Sequence, residues 1–503
     1  MKIHSPLRLL FFLVLAQQLA AQTPMVEVPL DKEFDNATVL LFKPPYQTMT
    51  VYIESDLDLR YSTISINKNS LFLKKSLGNR KMEKLKPDDQ LIPEAIKSGM
   101  KVNLRIDHYQ RSLKNTAKEV VLADDYYGNT GLKGLYEFLE GNQASVDGQL
   151  VALNSGVTLK GQNEWRDKKF ESFNELQLGC ELNVHGKREI DGIIYVTRGT
   201  ARPVESNSDD RLLRRGVELG MQVDKNRLNL GKGFNRTFIT DNVLQDYVNS
   251  IGRKIVPEYI RTLPIDHPDH IDFKYYLVED ESLNASAFPN GAVIIHTGML
   301  RRISNEAQLA AVISHEIAHV TQKHHSKNFR KRKNWKDASN AIIAVSTITT
   351  SSTVPALAVG MLSEMYVSEY SRTQETQADR IGLRYMYDAG YDPREAGNLW
   401  KKLALDDAES LRDVEATNMM LQMMGEKTDD IPEKPVAPEK RESIYASHPR
   451  ARDRFNHVNF LLSTAYANAN FSKAIVNAEQ HKAMVKRLRL KPAPKPVRPK
   501  SKK

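Results

Sequence analysis

Disulfide bonds are excluded at the outset: the 503-residue chain has one cysteine, Cys180, which also lies too far from the N-terminus to take a lipid there. An uninterrupted apolar run long enough to span a membrane is lacking as well. The nearest approach, residues 341–361, carries Ser and Thr at most positions from Ser346 to Thr353 and then Pro355, which suits a hairpin or lid better than a lipid-spanning helix. A distributed charge excess is missing too. Ten of the 72 Lys and Arg fall between 482 and 503 with no acid among them, and they equal the whole net charge of +10, leaving 62 basic against 62 acidic residues elsewhere. From Lys491 that tail is broken by prolines and reads as unstructured. It either offers contact with an anionic membrane surface or cell-wall polymer, or only keeps the chain soluble.

What is present begins with an export signal. Lys2 and Arg8 precede the apolar run Leu9 to Leu15, and Leu19-Ala20-Ala21 offers small residues for cleavage, so residues 1–21 read as a secretory signal peptide too short to anchor. An exported chain is not expected to meet nucleic acid. The length suits about three domains. Residues 22–203 read as short β-strands, and two parts resemble each other: Gly99-Met-Lys-Val-Asn-Leu-Arg105 and Gly179-Cys-Glu-Leu-Asn-Val-His185 alternate polar and apolar alike. A tandem pair of small β-barrel modules follows, over 22–130 and 131–203, the second OB-like. They bind a partner, position the rest of the chain, or serve only packing. The charged stretch from Glu205 to Arg215 marks a linker over 204–239, before a helix-rich domain at 240–470 and a helix end with the basic tail at 471–503.

The chemistry is concentrated at Val312-Ile-Ser-His-Glu-Ile-Ala-His-Val320. Helical residues four apart share a face, so His315 and His319 can bind one metal, with Glu316 beside it to take a proton from water. The helix is well specified. Ser304 or Asn305 can cap it, Glu306 suits its positive end, and Leu309, Ile313, Ile317 and Val320 form an apolar stripe.

A catalytic zinc usually takes three protein ligands. His325 stands where His-Glu-x-x-His-x-x-Gly-x-x-His would put a third histidine, but Gln322 replaces the glycine that would swing it back. Glu375 and Asp379 instead lie one helical turn apart, so Glu375 can ligate while Asp379 accepts a hydrogen bond from a ligating histidine. An ordinary surface cluster with Arg372 is the bland alternative.

Ser371-Arg372, Glu375 and Ala378-Asp379 after His-Glu-x-x-His resemble the HtpX and CAAX prenyl protease family of gluzincins, closest to its soluble, BepA-like envelope proteases. Asn284-Ala-Ser-Ala-Phe-Pro-Asn-Gly291 before the motif, Asp388-Ala-Gly-Tyr-Asp-Pro393 after it and Ser447-His-Pro449 resemble further elements of that family, so the likeness covers about residues 240–460. It departs from the family in showing neither membrane helices nor a tetratricopeptide array.

The resemblance implies an α+β fold: a mostly helical gluzincin domain with a small sheet, preceded by the β-modules. It also implies one zinc per chain on His315, His319 and Glu375, Glu316 as the base, and His448 and Arg454 as donors to the oxyanion. Residues 292–297 read as a strand; at a sheet edge, Val293 and Ile295 would pair with substrate, with Asn284 and Gly291 nearby. The expected role is hydrolysis of unfolded or misassembled envelope proteins in the bacterial periplasm. The rivals are a periplasmic chaperone with a latched, little-used site, and a zinc-dependent binding protein. The Pro-rich stretch 429–440 before His448 would let that histidine close the open zinc position as a latch.

Overall fold

The computed structural model describes residues 28–43, 48–53, 61–67, 69–75, 82–85, 96, 100–112, 114–122, 128–189, 191–203, 208–224, 227–229, 235–267, 269–330, 370–406, 451–466 and 469–488. The signal peptide, the lid-like 341–361 stretch, the 429–440 loop, His448 and the proline-broken tail lie outside them.

The repeated alternation does build two small barrels. The first uses β1 (Leu30–Lys43), β2 (Thr48–Tyr52), β3 (Tyr61–Ser65), β4 (Leu71–Lys75), β5 (Met82–Leu85), β6 (Lys101–Tyr109) and β7 (Lys114–Leu122). The second uses β8 (Gly128–Glu140), β9 (Gln143–Val146), β10 (Gln149–Leu153), β11 (Leu159–Gly161), β12 (Lys169–Phe170), β13 (Glu181–Arg188) and β14 (Ile194–Arg202). Strand order is β3-β2-β1-β6-β7-β4-β5 in one and β10-β9-β8-β13-β14-β11-β12 in the other. The two orders are the same, strand for strand. A parallel pairing, β3 with β7 and β10 with β14, closes each into a five-stranded ring of OB-like character. Even an irregularity is shared: the first strand bulges between Val39 and Leu41 in one copy and between Tyr136 and Phe138 in the other. Inside the second barrel Tyr136, Leu159, Leu182, Val184 and Val196 fill the core, together with buried Cys180.

The chain divides into two compact units. The first barrel makes up one; the second barrel belongs with everything that follows it. The charged stretch read above as a linker runs into helix α1 (Ser208–Gly220). Charge masked the helix, because Leu213 and Val217, one turn apart, are the apolar part of a buried face that also holds Asp210 and Arg214, and they pack in one cluster with Val278, Phe288 and Ile294. A three-stranded sheet of β15 (Gln222–Asp224), β16 (Arg227–Asn229) and β17 (Asn235–Thr237) follows.

The C-terminal region holds α2 (Asn242–Ile255), α3 (Glu306–Thr321), α4 (His324–Arg330), α5 (Arg372–Asp388), α6 (Arg394–Asp406), α7 (Ala451–Thr464) and α8 (Ala478–Leu488), besides two short helical segments. Asn305 caps α3 by accepting from Gln308 N at 2.9 Å, and Ser371 caps α5 in a capping box with Gln374. No residue of α3 is exposed, so the helix is buried on every side. No described helix is long and apolar enough to cross a membrane.

The small sheet corrects one expectation. Its strands are β18 (Lys274–Val278), β19 (Ala285–Ala287) and β20 (Ala292–His296), in the order β18-β20-β19. Thus β20 is central, fully buried, and paired on both sides, so the ladder takes the backbone groups of Val293 and Ile295 and neither can pair with substrate. A run of buried residues marks a strand without giving its place in a sheet. The edge strands are β18, whose outer side bridges to Phe238 at Val278, and β19.

Candidate metal centre

Helix α3 carries His315 and His319 on successive turns, with Glu316 next to the first, and α5 brings the third ligand candidate to them. The two helices meet at Gly382, where an added Cβ would stand 2.9 Å from His315 N and 3.0 Å from its Cα. This backbone-to-backbone approach sets Glu375, two turns earlier on α5, against both imidazoles. His315 Nε2 lies 3.0 Å from His319 Nε2 and 3.4 Å from Glu375 Oε2, and His319 Nε2 lies 3.6 Å from Glu375 Oε1. All three side chains are buried.

The donor set fits a cation. Two imidazole nitrogens and a carboxylate oxygen converge on one point, each within 4.8 Å of the others. Tetrahedral zinc, with bonds of about 2.0–2.2 Å, sets its ligand atoms about 3.3–3.6 Å apart, close to the spacings here. His325 is not part of the set. Its Nε2 lies 2.8 Å from the Ala287 carbonyl oxygen and 2.6 Å from Tyr370 Oη.

Each histidine is held from behind. His315 Nδ1 is 3.1 Å from Asp379 Oδ1, as a ring donating from the nitrogen opposite the metal would be. Arg454 Nε donates to both Asp379 oxygens, at 3.0 and 3.1 Å. The Arg454 guanidinium lies 3.5 Å from the Trp400 ring centroid, and its Nη1 is 3.7 Å from Glu375 Oε2. Its Nη2 also lies 2.7 Å from His315 Nδ1 and 3.1 Å from His315 Nε2, so Arg454 meets the centre both directly and through Asp379. Burial pushes the Asp379 carboxyl up, but Arg454 and His315 outweigh it and hold the group below the usual range. Burial and Arg454 push His315 down, but Asp379 and Glu375 raise it above its ordinary value.

Behind His319 stands a group that motif reading passed over. His319 Nδ1 is 2.9 Å from His324 Nδ1, and His324 Nε2 is 2.8 Å from Gln377 Oε1. Burial drives the His324 pKa down to about 3, so the ring is neutral and has one donor and one acceptor nitrogen. The Tyr370 ring stacks on His319 at 3.7 Å. Burial, with Glu316 and Glu375 nearby, pushes its hydroxyl well above the usual value. Tyr370 sits two residues before the helix that carries Glu375; that proximity was the available signal.

The remaining candidates lie on the sheet. Asn284 precedes β19, and its buried Oδ1 has no hydrogen-bond partner among the described residues. Gly291 sits in the β19–β20 turn at φ +87°, where a Cβ would come within 2.7 Å of Ile271 Cγ2, so its job there is to make the turn.

Residues 245–461 match peptidase family M48. Among similar proteins is the beta-barrel assembly-enhancing protease of Yersinia pestis, 30% identical over 173 residues, covering 33% of this chain and 34% of the relative. The Escherichia coli K12 protein of that name is 28% identical over 236 residues, covering 43% and 45%. The mitochondrial metalloendopeptidase OMA1 of Arabidopsis thaliana is 29% identical over 180 residues, covering 35% of each chain. The chain thus spans between a third and a half of the length of these relatives. The family match begins in α2 and ends in α7, enclosing every residue that converges on the metal centre, and over residues 245–461 the chain carries a peptidase family M48 domain.

Proposed function

We propose that this protein is a zinc-dependent endopeptidase that hydrolyses peptide bonds of unfolded or misassembled proteins in the bacterial periplasm. The observation that carries the reading is the buried convergence of His315, His319 and Glu375 with Glu316 next in sequence to the first ligand. Zinc held there would supply a Lewis acid that acidifies water and polarises the scissile carbonyl. Glu316 then accepts the water proton and returns it to the leaving amine. Asp379 fixes the His315 ring, and Arg454 fixes Asp379 while keeping Nη1 on the ligand side, where it would face the oxyanion.

Substrate would run along β19. Alternate residues of an antiparallel strand turn their N–H and C=O to opposite sides. Asn284 O and Phe288 N bond to β20, so Ala285 and Ala287 turn theirs to the outer edge, where His325 Nε2 already meets the Ala287 carbonyl at 2.8 Å and Ala285 is left to lead the pairing. No described strand pairs there. Backbone pairing of this kind reads extended shape rather than sequence, as a protease of unfolded chains requires. Asn284 Oδ1 would accept from a substrate N–H. The periplasmic assignment rests on the signal-like residues 1–21 and on relatives named beta-barrel assembly-enhancing protease.

The test is casein cleavage by the purified protein and its Glu316→Gln variant, with zinc quantified in both. Both should hold about one zinc per chain, and the variant should cleave about 10²–10⁴-fold more slowly. Equal cleavage by the two, or a wild-type protein that holds no zinc, would overturn the proposal.

A further inference from the structure

The hydrogen bonds behind His319 do not end within the M48 domain. Gln377 Nε2 donates to Asp147 Oδ1 at 2.5 Å, and Asp147 belongs to the second barrel, 230 positions earlier in the chain. Only one ordering of donors satisfies the line when His319 Nε2 faces the metal. His319 Nδ1–H donates to His324 Nδ1, His324 Nε2–H donates to Gln377 Oε1, and the Gln377 amide N–H donates to the Asp147 carboxylate. An ionised carboxylate can only accept, so Asp147 sets the direction of every bond back to the ligand.

The turn that presents Asp147 is shaped for this contact. Asp147 and Gly148 join β9 to β10 with φ of +51° and +69°, the two-residue Asp-Gly connection that matches strand twist. A Cβ on Gly148 would stand 3.0 Å from the Arg380 carbonyl oxygen, so the turn lies directly on the α5 backbone. A Cβ on Gly134 would stand 2.5 Å from the Asp147 Cβ. Arg380 adds its Nε–H to the Asp147 carbonyl at 2.8 Å and pairs with the Asp147 carboxylate.

We propose that Asp147, Gln377 and His324 are positioning residues for the metal centre, by which the second barrel fixes the tautomer and orientation of the ligand His319. The inference rests on the reading of His315, His319 and Glu375 as a zinc site, not on proteolysis. It makes the barrel a working part of the metal centre rather than an appended binding module.

The test uses the full chain and measures zinc affinity by chelator competition, the visible spectrum of the cobalt(II)-loaded protein, and thermal unfolding. Gln377→Met cuts the line in its middle and leaves the Asp147–Arg380 pair intact. It should weaken zinc binding about 10-fold, the lower end of the range for partners behind a ligating histidine, and shift the cobalt bands. Arg380→Met removes the ion pair but not the line; it should unfold at a lower temperature yet bind zinc as the wild type does. Gln377→Glu alone sets two carboxylates against each other and should also lose affinity. Adding Asp147→Asn restores a donor facing an acceptor and should recover most of the loss. Wild-type affinity and an unshifted cobalt spectrum in Gln377→Met would overturn the proposal. So would equal loss of zinc in Arg380→Met, or no recovery in the double variant. Because none of these readouts requires peptide cleavage, a protein that binds zinc without cleaving casein would sink the proposed function and leave this test intact.

Discussion

Single residues at the centre were legible to the extent that their spacing was local. His315 and His319, then Glu375 and Asp379, are pairs four apart on helices, and helical geometry alone puts each pair on one face. That Arg454 would seize Asp379 needs the packing of α7, which local spacing does not report. The pair is buried on both sides, which decides the outcome of mutation. Arg454→Leu strands the Asp379 carboxylate and should cost about 3–5 kcal/mol of stability. Adding Asp379→Asn removes the stranded charge, so the double variant should lose less than the sum of the singles in denaturant unfolding. His324, Gln377 and Tyr370 were illegible for a related reason. A neutral histidine or an amide has no motif of its own, and its meaning comes from what lies 2.8–2.9 Å away.

Helices and strands follow their periodicities here, but position within the assembly does not. Alternation located both barrels and an apolar run located the strand at β20, yet neither could say that β20 is flanked on both sides. Likewise the charged run at 205–215 hid a helix whose buried face includes Asp210 and Arg214 beside Leu213 and Val217, so charge and burial coincide there. The contact between α3 and α5 shows how context reverses a helix rule. In an exposed helix, Gly→Ala stabilises by about 1 kcal/mol. At Gly382 the new methyl would meet the His315 backbone at 2.9–3.0 Å, inside normal contact, and α5 must retreat with Glu375. Gly382→Ala should therefore destabilise by about 1–3 kcal/mol and weaken zinc binding, both read by metal titration coupled to thermal unfolding.

At the scale of the whole molecule, a second buried contact joins barrel and M48 domain. Glu137 Oε1 accepts from Tyr385 Oη and from Gln322 Nε2 at 2.9 Å, the latter at the C-terminal end of α3. Burial raises the Glu137 pKa to about 8, against an ordinary 4.5. The folded state thus keeps a proton that the unfolded state gives up. Its contribution is fully present below pH 4.5 and is lost as pH rises through about 8. Glu137→Gln cannot titrate, so its free energy of unfolding should gain on that of the wild type as pH is raised from 5 to 8, by on the order of a few kcal/mol in denaturant unfolding. A constant difference across that range would show that Glu137 is ionised in the fold.

Glu137 is the extra residue of the bulge in β8, and the equivalent bulge in β1 holds Leu40, equally buried. The two barrels are therefore siblings in topology but no longer interchangeable. Replacing the second by a copy of the first would put a leucine against Tyr385 and Gln322, and would remove Asp147 from its place beside Gln377 and Arg380. Such a chimera would keep every strand and still lose its grip on the metal. The shared topology keeps strand order and bulge, whereas Glu137 at the bulge and Asp147 at the turn of the second barrel are bound to the M48 domain, so a change at either would be felt at the metal centre as well as in the barrel.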